Sequence, residues 1–289
     1  MERRDYFLTH AGLKFHVTEW GCRNGRPILM LHGIRGYAET FAGIAAALQP
    51  EYRVIAYDQR GRGQSDWDPE AQYFTDVYVA DLEAIADQLS LAHFDLLGHS
   101  MGGINAIAFA ARHPQRVDRL IIEDAGPGAF EHSEGARRIC RELLATPSYF
   151  PTWEAASEYM RLLRPTVGEQ ARQQRLKAML KRAPDGGHTW KYDHTGIART
   201  RLNPDPKRSV DLEELASLIT CPTLVVRGGR SDYLHSDMVA KMQNLNARFH
   251  AVVIADAGHY VHDDQPQLFA AEVVKFLSCN HELPARECD

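Results

Sequence analysis

The chain opens with alternation. Leu13, Phe15 and Val17 point one way between polar neighbours in Leu13 to Trp20, and Tyr6-Phe7-Leu8 lies across Ala11-Gly12. That pattern predicts a hairpin with one buried face. Pro27 to Leu31 is instead an unbroken apolar run ending in His32-Gly33, as expected of a strand covered on both faces. Phe41 to Leu48 then reads as helix and Tyr52 to Tyr57 as strand. In Thr75 to Leu89, the positions Val79, Leu82, Ile85, Ala86 and Leu89 form a helical stripe. Phe94 to Leu97 (strand), Met101 to Arg112 (helix) and Val117 to Ile122 (strand) continue the series. Strands alternating with helices predict βαβ units and a mostly parallel sheet.

The rhythm breaks at residue 126. From there to residue 208 the pattern is helical but cut by prolines and by Gly186-Gly187. It resumes with a strand at Pro222 to Arg227, a helix at Ser236 to Leu245, a strand at Phe249 to Ile254 and a last helix at Gln267 to Leu277. The simplest organisation is an α/β core formed by residues 1–125 and 209–289, with residues 126–208 as a helical cap insertion.

Composition narrows the class. Apolar residues make up 44% and charged residues 25%, the balance of a globular domain rather than of a disordered or fibrous chain. Lys and Arg number 33 against 38 Asp and Glu, a net charge of −5 without a long basic block. Neither nucleic acid nor an anionic membrane is therefore an expected partner. Cys22, Cys140, Cys221, Cys279 and Cys288 are odd in number and scattered, with no CxxC. That favours reduced thiols over a disulfide framework or a zinc site. With no apolar signal core near Met1 and no long apolar run, a cytoplasmic location is expected, in a monomer or homodimer acting on a small molecule.

Candidate chemistry centres on Gly98-His99-Ser100-Met101-Gly102. This G-x-S-x-G lies between a predicted strand and a predicted helix. In such an elbow the serine takes a strained conformation that lifts its Oγ clear of the sheet, and small residues two positions away let the chain pass closely. The Met101 N–H, at the helix start, is free to stabilise an oxyanion. A serine needs a base, and the base an orienting carboxylate. His259, in Ala257-Gly258-His259-Tyr260, follows the last predicted strand, at the same sheet edge as the elbow. His262 is its local rival; with Asp263 and Asp264 it could be read as a metal cluster, but no outlying ligand set supports one. Two acids are candidates. Asp232 follows the penultimate strand, 27 residues before His259, and Asp124 follows the strand Val117 to Ile122. Asp232 is preferred, with Asp124 as the alternative.

The loop His32-Gly33-Ile34-Arg35-Gly36 is placed to supply a second oxyanion donor, the Ile34 N–H. His32 reads as a structural hydrogen-bonder, and Arg35 as a residue that either binds an acidic substrate or points to solvent. Asp58 to Asp66 reads as an ordered turn network. Neither a P-loop nor a dinucleotide fingerprint is present. In the insertion, Phe150, Trp153, Tyr159, Trp190 and Tyr192 are candidates for an apolar pocket wall or for the insertion's own core.

Leu31-His32-Gly33, Asp58 to Asp66, Gly98 to Gly103, Asp232 and Gly258-His259 together resemble the α/β-hydrolase superfamily, in its order and across nearly the whole chain outside the insertion. The resemblance implies an eight-stranded, mostly parallel sheet with a helical cap, a Ser–acid–His triad in that chain order, and no cofactor or metal. The acid position sits one residue later than in many members. A serine at position 100 is unlike the aspartate of epoxide hydrolases and haloalkane dehalogenases, and the loop after Leu31 lacks the His-Gly-Gly-Pro of proline iminopeptidases. The chain is similar to small-substrate carboxylesterases, enol-lactonases and amide hydrolases. Hydrolysis of an ester, lactone or thioester through an acyl-enzyme is the expected activity. The alternatives are amide or carbon–carbon bond hydrolysis of an acidic or aromatic metabolite, lyase or cofactor-free oxygenase use of the triad, and a non-catalytic ligand-binding role.

Overall fold

A computed structural model of the chain describes residues 2–165 and 167–279; Cys288 lies outside them. The first half alternates as the pattern predicts: β1 (Arg3–His10), β2 (Leu13–Trp20), β3 (Arg26–Leu31), α1 (Ala42–Ala47), β4 (Tyr52–Tyr57), α2 (Thr75–Gln88), β5 (Phe94–His99), α3 (Met101–Arg112) and β6 (Val117–Glu123). The intervening stretch holds α4 (Ala129–His132), α5 (Glu134–Leu144), β7 (Tyr149–Phe150), α6 (Trp153–Leu163), α7 (Glu169–Met179), β8 (Leu180–Arg182), β9 (His188–Trp190) and α8 (His194–Leu202). The alternation then returns with α9 (Leu212–Ser217), β10 (Thr223–Gly228), α10 (Ser236–Leu245), β11 (Phe249–Ile254), α11 (Val261–Asp264) and α12 (Pro266–Ser278).

The main sheet has eight strands in the order β1-β2-β4-β3-β5-β6-β10-β11. Pairing is antiparallel between β1 and β2 and between β2 and β4, and parallel from β4 onward. The parallel strands inside the β11 edge bury both faces, and their side chains divide by the period of two. Leu29, Leu31, Leu96 and Ile122 pack with Leu82 and Ile85 of α2 and Ile107 of α3. Ile28, Met30, Leu97 and Ile121 pack on the other face with Ile44 of α1 and Phe269 and Val273 of α12. β2 differs from the one-faced expectation: His16, Thr18 and Trp20, opposite to Phe15 and Val17, are buried too, and Arg4 and Arg53 pair with the buried Glu19 carboxylate.

Chain direction decides where a site can form. β3 runs to β4 on one side, whereas β5 returns to the other side of β3. The two loops leaving β3 and β5 thus diverge at the carboxyl edge, which opens a crevice there.

The insertion is not purely helical. β7, β9 and β8 form a small antiparallel sheet, too short for periodicity to reveal in the sequence. Around it Phe150, Trp190 and Tyr192 are buried, and the Trp190 indole donates to the Pro147 carbonyl at 2.7 Å. Phe150 meets the rings of Tyr159 and Trp190.

Candidate active site

Ser100 sits between β5 and α3 with φ 54° and ψ −118°. A non-glycine residue at such a positive φ costs on the order of 1–3 kcal/mol. The turn persists because its neighbours leave no alternative: a Cβ at Gly98 would strike the Gly102 carbonyl, and one at Gly102 the Leu31 carbonyl. The Ser100 N–H donates to Glu123 O at 3.0 Å, tying the elbow to the end of β6.

His259 follows β11 and reaches Ser100, with Nε2 2.8 Å from Oγ. Its Nδ1 lies 2.8 Å from Asp124 Oδ2. The arrangement calls for Nδ1–H donating to the carboxylate, which leaves the Nε2 lone pair to accept the serine hydroxyl. All three residues are buried. Asp124 also accepts from the Gly228 N–H at 3.0 Å and from the Ser231 hydroxyl. Burial pushes the Asp124 carboxyl up, to about 7, against the pull of Ser231 and Gly228. Burial pushes His259 down, to about 3, and the Arg138 and Arg164 cations push the same way. The imidazole is therefore neutral at neutral pH, the form that accepts a proton.

The preferred acid, Asp232, does not reach His259. Arg138 of α5 holds its carboxylate from two sides, Nε to Oδ2 at 2.8 Å and Nη2 to Oδ1 at 3.0 Å, and this pairing keeps it below the usual carboxylate range. The acid that meets the histidine is the alternative, Asp124. Two signals that decide this were invisible in one dimension. Ser231, one residue before the preferred acid, hydrogen-bonds Asp124. Arg138, far away in the insertion, claims Asp232.

The proposed oxyanion loop lies against the serine. A Cβ at Gly33 would come within 3.3 Å of Ser100 Cβ and 2.8 Å of His99 Nδ1. Ile34, Ser100 and Met101 share the wall of a cavity of about 400 Å³. Arg62 joins the two loops: Nε donates to Ile34 O at 3.2 Å, Nη1 to Arg60 O at 2.8 Å, and Nη2 contacts Met101 Sδ at 3.3 Å. His32 behaves as a structural hydrogen-bonder, giving Nδ1–H to Gly33 O and accepting the Gln59 N–H at Nε2; burial lowers it to about 4. The turn network of the Asp58 loop is present, with the Asp58 carboxylate accepting from the N–H groups of Ala38 and Gln64 and meeting His16 Nδ1.

The cavity walls are not those the aromatic residues of the insertion suggested. Phe150, Trp153, Tyr159, Trp190 and Tyr192 all lie off this cavity; they pack with one another or, for Trp153, against His188 and Gln173. Its wall is Tyr73, Phe74 and Tyr78 from the α2 region, with Phe130, Ile197 and Val210. Arg35 also faces away from it. Its Nη1 donates to Glu142 Oε2 at 3.1 Å, neither in solvent nor at the 400 Å³ cavity.

His262 does not contact Ser100. Its Nδ1 meets Glu123 Oε1 at 2.7 Å and its Nε2 meets Thr40 Oγ1 at 3.0 Å. His99 donates Nε2–H to His259 O at 2.9 Å. Donor atoms of His99, Glu123 and His262 lie within 4.8 Å of one another; in this geometry these contacts brace the His259 loop.

Residues 26–266 match the family described as alpha/beta hydrolase fold, and the chain belongs to it. It is 28% identical to a 3-hydroxybutyrate-oligomer hydrolase of Cupriavidus necator, over 87% of this chain and 89% of that one. It is also 28% identical to a 2-(acetamidomethylene)succinate hydrolase of Mesorhizobium japonicum, covering 94% and 96%. The crystal structure of an E-2-(acetamidomethylene)succinate hydrolase superposes with a TM-score of 0.85 at 26% identity, covering 96% of this chain and 100% of that one. Among the described residues, no helix is long and apolar enough to cross a membrane.

Proposed function

We propose that the protein is a serine hydrolase of small carboxylic esters, lactones or thioesters, working through an acyl-enzyme. The observation that carries this reading is the buried relay Ser100–His259–Asp124 on a strand-to-helix elbow. The hydrolase names borne by its relatives support it. His259 takes the Ser100 proton as Oγ attacks the carbonyl, and Asp124 stabilises the imidazolium that forms. The Ile34 and Met101 N–H groups receive the oxyanion. Losing one such donor costs about 2.7–4 kcal/mol in comparable chemistry. His259 then protonates the leaving group, and water enters by the reverse route. The apolar cavity beside Ser100 accepts the acyl group or the leaving group, with residues 126–208 acting as the cap.

A fluorophosphonate probe tests the reading. The wild-type chain should label stoichiometrically and Ser100→Ala not at all. Equal labelling of the variant would remove Ser100 as nucleophile.

A further inference from the structure

A second, much smaller cavity, of about 20 Å³, lies between the loop after β3 and the loop carrying His259, under α6 and α7. Its walls include Gly33, His99, Tyr260 and three arginines: Arg35, Arg164 and Arg175. The space suits a water-sized group, one oxygen of a carboxylate rather than the whole group. A Cβ at Gly33 would come within 3.3 Å of Ser100 Cβ, so Gly33 stands between this cavity and the serine, which lines the larger one.

Its charges do not balance. Arg175 pairs with Asp263. Arg138 pairs with Asp232 and Glu142, and Glu142 also takes Arg35 Nη1. Among the described residues Arg164 has no carboxylate in ion-pair contact; its guanidinium lies 3.4 Å from the centre of the Tyr260 ring, a contact that only partly offsets a cation's charge. These four arginines share three carboxylates, and Glu123, the other carboxylate beside the cavity, is taken by His262. The hydrogen bonds are also incomplete. Arg35 has its side chain only 5% exposed, yet among the described residues its Nε and Nη2 meet no acceptor. A buried donor left unpaired costs about 1–3 kcal/mol, and more when charged, so a missing acceptor is the simplest completion.

We infer that Arg35 and Arg164 form a site for a single carboxylate carried by the substrate, which selects monoanionic acidic esters or lactones over neutral ones. A carboxylate supplies one negative charge and acceptor oxygens matched to guanidinium N–H groups. The inference rests on the serine-hydrolase reading for its chemistry, but not for its binding.

The test compares matched 4-nitrophenyl esters: hemisuccinate, hemiglutarate and hemiadipate against butyrate, valerate and hexanoate. A parallel pair carries the carboxylate on the leaving group, 4-carboxyphenyl against phenyl butyrate. The wild-type chain should favour at least one charged ester over its neutral counterpart by about tenfold or more in kcat/KM. Arg164→Gln and Arg35→Gln should abolish that preference, and Arg164→Lys should keep part of it. Using the ratio cancels any change these variants cause at His259 or the oxyanion loop. No preference in the wild-type chain, or one that survives both Gln variants, overturns the inference. Thermal shift with glutarate provides the readout without turnover: stabilisation of the wild-type chain but not of Arg164→Gln is expected, and equal response of the two overturns the site. Acetate tests the other source. If acetate stabilises the chain while no charged ester is preferred, the pocket takes a free anion and the substrate assignment falls. If Ser100 is neither labelled nor active on any ester, the hydrolase reading fails while the glutarate measurement still decides the site.

Discussion

Asp124 and Asp232 show how two residues of one type diverge by environment. Asp124 directly follows β6 with φ 48°, a left-handed conformation that aspartate tolerates better than most residues. That turn aims a fully buried carboxylate at His259. Asp232 stays about a third exposed and joins the β10 loop to α5 through Arg138. The consequence is measurable. Asp124→Asn should lower kcat by up to about 10⁴-fold, because an amide cannot hold the imidazole tautomer with Nδ1–H. Asp232→Asn should leave kcat within about tenfold and cost at most about 1 kcal/mol in stability, as befits a pair about a third exposed. Single-turnover acylation of the two variants checks the ranking; a larger loss in Asp232→Asn would return the role to that residue. In the sequence both aspartates follow strands at the same edge, so topology alone admitted either. The choice rests on which side chains crowd each one.

Elements hold the relay through their ends. α11 carries His262 against Glu123 of β6, and Glu123 accepts the Ser100 N–H through its backbone carbonyl. One acidic residue thus anchors both the elbow and the histidine loop. Contact with Glu123 and Asp263 raises His262 above its ordinary value despite burial. A raised folded-state value means the added stability is fully present below about pH 6.5, the unfolded value, and is lost as pH rises through the folded one. Wild-type chain and His262→Gln should therefore differ most in Tm below pH 6.5 and converge at higher pH. A gap that widened with pH would contradict the ion-pair account. Strands and helices of the main sheet were legible because each carries its own periodicity: Tyr52–Tyr57, Met101–Arg112, Ser236–Leu245 and Phe249–Ile254 match their expected limits. The strands of the insertion were not. With two or three residues each, they exist only by pairing with one another.

For the whole molecule, the divergence of chain direction between β3 and β5 places both proposed oxyanion loops and the serine in one crevice. The 400 Å³ cavity that opens there is lined by Tyr78 and Leu212 together with Phe130 and Ile197 from the stretch between β6 and α9. Val210, half-buried in its wall, offers a way to shorten it. Val210→Trp should cut kcat/KM for octanoyl esters by about tenfold or more, as expected when a side chain displaces several buried methylenes, while acetyl esters change little. A uniform loss across chain lengths would show that the acyl group lies elsewhere.

Some features were determined by the sequence alone. The α/β alternation, the strand-to-helix turn at Ser100 and the placing of His259 beyond the last strand of the sheet follow from local periodicity, turn chemistry and sequence order. Others were decided only by the tertiary structure: the acid that meets His259, the walls of the large cavity, and the gathering of Arg35, Arg164 and Arg175 around the small one. Each of these depends on groups brought together from distant segments, and hydrogen bonds and ion pairs form between neighbours in space, whatever their separation along the chain.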